Sequence, residues 1–187
     1  MDIKTAICQR RTIRRFQNKP VDRNLIAKLV NVSRLYASGA NLQPIRFVGI
    51  TESILREEIF KTLRWAAYLP DFEIRDDQKP MAYVVLTCDT TVKKNCQFDL
   101  GAAATTLMLA AEGEGLATCC LGSFDANTIK SLLSLDETVE PLLVIAIGYP
   151  DQRSRVVDMM TDVKYYEDSD GCLCVPKRTL EEVLKMY

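Results

Sequence analysis

The sequence predicts a single domain built of both helices and strands, and three observations point to it. Segments with helical spacing alternate with short aliphatic runs between residues 22 and 150. Two of those runs, "MAYVVLTC" and "PLLVIAIGYP", have no polar face, so each strand must be covered on both sides. A third segment, "FDLGAAATTLMLAAEGEGL", is helix-length yet apolar nearly all round, which places it at the centre of something. A chain of this length supports one full hydrophobic core and is too short for two comfortable ones, so residues 1–187 are read as one domain.

Taken in order, "VDRNLIAKLVNVSRLY" puts Leu25, Ile26, Leu29, Val30 and Ser33 on one helical face, with Asp22 as its N-cap. Ile45–Thr51 reads as a short strand, and the spacing of Leu55, Ile59 and Leu63 as an amphipathic helix. Residues 64–80 read as irregular. After the strand near 81–88 comes the apolar helix, whose Gly101, Ala102, Ala103, Ala104, Ala110 and Ala111 let another backbone approach. A tightly packed core helix and a subunit interface both fit that pattern. "LATCCLGSFD" reads as a brief strand and turn, with Asp125 capping a helix that carries Ile129, Leu132 and Leu133. The buried strand at 141–150 stops at Gly148 and Pro150. The tail from 151 to 176 reads as mostly irregular and lying on another surface. Thr179 and Glu182 form a capping box for a last helix.

Composition excludes several function classes. A net charge of -1 and pI near 5.6 offer no general attraction for nucleic acid or anionic lipid. No stretch is apolar for the ~20 residues of a membrane span, and the amino terminus lacks a signal-peptide core, so a cytoplasmic protein is expected. The chain has no histidine, which removes Ser-His and Cys-His nucleophiles and every histidine-bearing metal site. Seven cysteines without a C-x-x-C pair read as reduced, packed thiols. The eight glycines form neither a dinucleotide fingerprint nor a P-loop. Carboxylates or a bound cofactor must then carry any chemistry.

Two segments carry candidate chemistry. "QRRTIRRF" holds Arg10, Arg11, Arg14 and Arg15 around Thr12 with no acid among them. Such a run is commonly a solvated helix face, but forked guanidinium donors and a hydroxyl also suit a phosphate. "ASGANLQPIRFV" ends a helix and starts a strand, yet spaces Asn41 and Gln43 two apart after the turn residues Ser38, Gly39 and Ala40. An Asx turn would account for Asn41 alone; the two amides together complement a heterocyclic edge that both donates and accepts. Trp65, Tyr68 and Phe72 either edge such a pocket or simply pack.

"RRTIRRFQNKPV", "ASGANLQPIRFVGIT", "LGAAATTLMLAAEGEGLATCCLGSFD", "LLVIAIGYP" and "VPKRTLEEVL" resemble, in order and spacing, the signature blocks of the FMN-dependent nitroreductase family, from about Ile7 to the last helix. The resemblance implies an α+β class, a three-layer α/β/α fold with a mixed, largely antiparallel sheet, and an intertwined homodimer whose tail, about 151–187, packs on the partner. It also implies one FMN in each of two interface sites, reduced by NAD(P)H and reoxidised by a nitroaromatic, quinone or similar small acceptor in ping-pong order. By the same resemblance Arg10, Arg11, Thr12 and Arg14 contact the flavin pyrimidine and phosphate, and Ser38, Asn41 and Gln43 reach in from the partner. Backbone N–H groups at Leu121 and Gly122 face the ring, and Lys177 or Arg178 meets the phosphate. A redox sensor or carrier without turnover, and a dehalogenase-like or flavin-consuming enzyme, are alternatives on the same scaffold. Ala37 and Ile45 stand where the family often has proline and tryptophan, and the link from Cys88 to Phe98 is short, so acceptor choice is the property most open to change.

Overall fold

Strands with no polar face need cover above and below, and the two most apolar runs lie side by side at the centre of the molecule. In the computed structural model, which describes residues 1–187, they are β2 (Ala82–Asp89) and β4 (Val139–Gly148). β1 (Ile45–Ile50) flanks β2 and β3 (Ala117–Leu121) flanks β4, giving an antiparallel sheet in the order β1-β2-β4-β3. Leu86 pairs with Leu143 but Thr87 with Pro141, so Leu142 is an extra residue. This bulge sits beside a proline that has no ladder bond to donate.

Side chains alternate across the sheet into two cores. Val84, Leu86, Ile145 and Ile147 pack against α2 (Arg23–Ser33) and α4 (Gln97–Gly113). Tyr83, Val85, Val144 and Ala146 pack against α3 (Ser53–Thr62) and α5 (Ala126–Leu132) through Ile59 and Ile129. The result is the expected three-layer α/β/α arrangement. Helix starts follow the capping chemistry: Asp22 accepts from the Asn24 N–H, Glu52 from those of Ile54 and Leu55, and Asp125 from that of Thr128. The Thr179–Glu182 box starts the four-residue α6 (Leu180–Val183). Residues 64–80 hold a single 3-10 turn, Asp76–Gln78.

The tail is more ordered than its sequence suggests. β5 (Ser154–Asp158), β6 (Tyr166–Glu167) and β7 (Leu173–Lys177) form a second sheet in the order β5-β7-β6, parallel between β5 and β7. Leu173 and Cys174 are fully buried, so these strands bury side chains within one chain, contrary to the expectation of an irregular tail. The parallel pair supplies the mixed character of the strand pairing. An unexpected helix, α1 (Ile3–Gln9), is capped by Asp2, whose carboxylate accepts from the Thr5 N–H.

Candidate functional site

The arginine block is fixed by a ring lying on a glycine. Phe16 is fully buried, and a Cβ on Gly148 would stand 2.9 Å from its ring, so only glycine permits that approach. Backbone bonds hold the segment along β3 and the end of β4: Ile13 N–H to the Thr118 carbonyl at 3.0 Å, Gln17 N–H to that of Tyr149 at 2.9 Å, and Asp151 N–H to that of Arg15 at 3.0 Å. Thr12 bridges Thr118 and is half-buried.

With the backbone extended and fixed, the four arginines have different surroundings. Arg15 pairs with Glu167 at 2.8 Å and lies 4.5 Å over the Phe72 ring, so it is already compensated. Arg11 donates to the carbonyls of Arg10 and Cys8, both at 2.5 Å. Arg14 is buried, its N–H donates to Gln152 Oε1 at 2.9 Å, and its guanidinium lies 4.4 Å from the centre of the Tyr165 ring. Its Nη1 is buried without a partner, which costs about 1–3 kcal/mol unless an acceptor is supplied. The run is therefore not aimed as a whole at one anion.

The segment after α2 is equally specific. Ala40, Asn41 and Gln43 all have positive φ, at 50°, 55° and 50°. That region costs a residue with a Cβ about 1–2 kcal/mol, so three cases in four residues require compensation. Some comes from the Asn41 N–H to the Ser38 carbonyl at 3.0 Å and the Gln43 N–H to Ser38 Oγ at 2.9 Å. Ser38 Oγ in turn donates to Asp99 Oδ1 at 2.5 Å, and Lys93 Nζ to Asp99 Oδ2 at 2.6 Å. Burial pushes the fully enclosed Asp99 carboxyl up, but the bonds from Lys93 and Ser38 outweigh it and hold the pKa below the ordinary value. Gln43 Nε2 donates to Asn41 Oδ1 at 3.0 Å and to the Asn41 carbonyl at 3.2 Å. The exposed amide pair therefore still offers Gln43 Oε1 as an acceptor and Asn41 Nδ2 as a donor.

Leu121, buried, ends β3, and Gly122 beyond it is exposed with an amide N–H that has no partner in the chain. Lys177 ends β7 with its side chain exposed, and Arg178 pairs with Glu182 at 3.5 Å; neither bonds to the arginine block within one chain. Of the flagged aromatics, Trp65 packs on Phe60, Tyr68 packs on Tyr165 with ring centres 5.0 Å apart, and Phe72 underlies Arg15.

The two polar segments do not meet in one subunit. Asn41 and Gln43 precede β1, at one edge of the sheet, while Thr12 lies against β3, at the other. Along α4, Ser38 is tied to Asp99 in the first turn, whereas Arg10 and Arg11 bear on Glu112 near the far end, a rise of about 20 Å. Burial raises the Glu112 pKa, and those two arginines pull it back. The thiols offer no ready nucleophile on this edge: burial pushes Cys119 up to about 12 and Cys120 up to about 11. No group of three or more Cys, Asp or Glu side chains is placed to hold a metal ion, and no helix is long and apolar enough to cross a membrane. Asp99, Lys93, Gln152 and Tyr165 are the site's neighbours that sequence reasoning did not single out. The one available signal was Asp99, an acid heading an otherwise apolar helix.

Among known proteins, the model described as the Nitroreductase family matches residues 7–81 and 93–149. A Methanothermobacter thermautotrophicus protein, provisionally named NADH dehydrogenase/NAD(P)H nitroreductase, is 28% identical over 166 residues, 85% of this chain and 83% of its own length. An iodotyrosine deiodinase of Haliscomenobacter hydrossis is 27% identical over 182 residues, 80% of each chain. The crystal structure of a nitroreductase family protein from Streptococcus pneumoniae superposes over 100% of both chains with a TM-score of 0.72 at 16% identity, a likeness of fold alone.

Proposed function

Because the chain belongs to the nitroreductase family, we propose that it is an FMN-dependent NAD(P)H oxidoreductase that reduces nitroaromatics, quinones or a similar small acceptor. The observation that carries this reading is Arg14, whose buried Nη1 lacks an acceptor within the chain. FMN, when bound, would take a hydride equivalent from the nicotinamide and pass reducing equivalents to the acceptor in a second half-reaction. The residues present fit that group. Arg14 supplies a fixed positive charge where negative charge develops on the pyrimidine, and its burial strengthens that interaction. Arg10, Arg11 and Thr12 hold the phosphate end, with Lys177 or Arg178 completing it. The unpaired Gly122 N–H, just beyond Leu121, serves the ring, and Asn41 and Gln43, seated on Ser38, serve its polar edge.

A homodimer completes the site. The two segments sit at opposite ends of α4, so a two-fold axis across that helix sets the 38–43 segment of one subunit against the arginine block of its partner. Support comes from the outward side of α4, where Phe98, Gly101 and Thr105 are exposed. Residues 152–177 of the tail pack on their own subunit, so the expectation for about 151–187 narrows to its end, where the exposed Leu180, Val183, Leu184 and Met186 support packing on the partner. The cytoplasm, where reduced nicotinamides are made, is the compartment that suits this chemistry.

The test is anaerobic titration of the FMN-loaded protein with NADH and with NADPH, followed by a nitroaromatic or quinone. Bleaching by a nicotinamide and recovery with the acceptor are expected. Bound FMN that no nicotinamide reduces would favour a sensor or carrier instead. The deiodinase relative favours a second reading, reductive dehalogenation on the same scaffold. Halide release from a haloaromatic under anaerobic turnover would select it.

A further inference from the structure

We propose that Asp99 is the positioning residue for the 38–43 segment, a buried carboxylate that, with Lys93, holds Asn41 and Gln43 in the backbone conformation from which their amides meet the flavin. This rests on the functional reading above and adds to it the group that prepares one half of the site.

A fully buried carboxylate is retained only where donors compensate its lost hydration. Asp99 has two side-chain donors, Ser38 Oγ at 2.5 Å and Lys93 Nζ at 2.6 Å, and it lies in the first turn of a 17-residue helix, whose amino end favours negative charge. Both donors bear on the same segment. Donating its proton to Asp99 orients the Ser38 hydroxyl, which leaves its lone pairs toward the Gln43 N–H at 2.9 Å. That bond spans the turn in which Ala40, Asn41 and Gln43 hold positive φ. Lys93 reaches the carboxylate across Gly39, where a Cβ would lie 3.2 Å from Nζ, so the side chain presses over the turn and confines it. Asp99 and Lys93 bond to neither amide side chain; both act through Ser38 and Gly39. Removing the carboxylate frees the Ser38 hydroxyl to rotate, loosens Gln43, and lets the segment relax to ordinary backbone angles that aim the amides elsewhere.

Two measurements test this. Hydrogen exchange on the flavin-free protein reads the clamp directly: Asp99→Asn and Lys93→Ala should each speed exchange of the Gln43 amide while the β2 and β4 amides stay protected. FMN titration by fluorescence quenching should show Kd raised about tenfold in Asp99→Asn, the size expected when a binding segment loses its preorganisation. Ser38→Ala should produce a similar loss, and the double variant no more than either alone, because both cut one chain of bonds. A merely structural role predicts a lower melting temperature, additive Kd changes and a Gln43 amide that exchanges as in the unmodified protein. Either of the last two results overturns the proposal. Lys93→Ala and Ser38→Ala, both at the surface end of the chain of bonds, keep the test decisive if Asp99→Asn fails to fold. A parent protein that binds no FMN would defeat the functional reading, while the exchange arm would still decide the role of Asp99.

Discussion

The guanidinium of Arg14 lies 4.4 Å from the centre of the Tyr165 ring, so an aromatic side chain from the tail covers a buried cation from the amino-terminal segment. Tyr165 packs in turn on Tyr68. Such a contact contributes about 1 kcal/mol when partly desolvated. Tyr165→Ala should therefore lower stability by about that amount in urea denaturation and weaken FMN retention, while Tyr165→Phe keeps both. Equal losses in the two variants would assign the effect to the hydroxyl instead. Arg14→Ala should weaken FMN retention with the oligomer intact.

Gly148 tests how the arginine block is seated. A methyl group there would stand 2.9 Å from the ring of Phe16, which is fully buried and has nowhere to move. Gly148→Ala should cost about 1–3 kcal/mol and shift the 12–17 segment, reducing FMN retention as well. Gly122→Ala, whose Cβ would meet only Leu143 at 4.0 Å, should leave stability within about 0.5 kcal/mol of the parent. Thermal melts of the two variants measure the contrast.

Gly101 tests the proposed dimer. Nothing in its own subunit lies within 4 Å of a Cβ built there, so Gly101→Ala should stabilise an isolated helix by up to about 1 kcal/mol. If α4 meets its copy across that face, the same methyl group separates the two backbones. Sedimentation velocity should then show a weaker dimer, and an unchanged or tighter one would move the seam away from Gly101.

The Asp99 clamp has a pH signature. Its native pKa is held below the ordinary 3.8, so the folded state binds this proton less readily than the unfolded chain. The resulting stability is fully present above about pH 4 and is lost as pH falls through the lower native value. Urea denaturation of the flavin-free protein and of Asp99→Asn should differ most near neutral pH and converge in acid. A gap that widens on acidification would reverse the sign of the shift.

Much of the central fold was legible in the sequence because its signals are local. β2 and β4 are continuous apolar runs, and Asp22, Asp125 and Thr179 stand where the capping side chains in fact lie. The second sheet was not legible, since β5 is rich in charge, β7 contains Pro176, and their parallel pairing joins segments distant in sequence. α1 is a seven-residue helix with one buried side chain, too short to show a period. For the candidate site, residue types were readable and relationships were not. Ser38 and Asp99 are 61 residues apart, and nothing local announces that one serves the other. The arginines likewise looked uniform in sequence, and only their packing separates Arg15, paired with Glu167, from Arg14, whose Nη1 is left open.

An absorbance spectrum of the purified protein decides whether this chain binds FMN at Arg14 and its neighbours. A yellow protein with one FMN per subunit is expected, or a colourless one that gains a perturbed flavin spectrum and thermal stability when FMN is added. A colourless protein that changes neither the spectrum of added FMN nor its own melting temperature would contradict that binding.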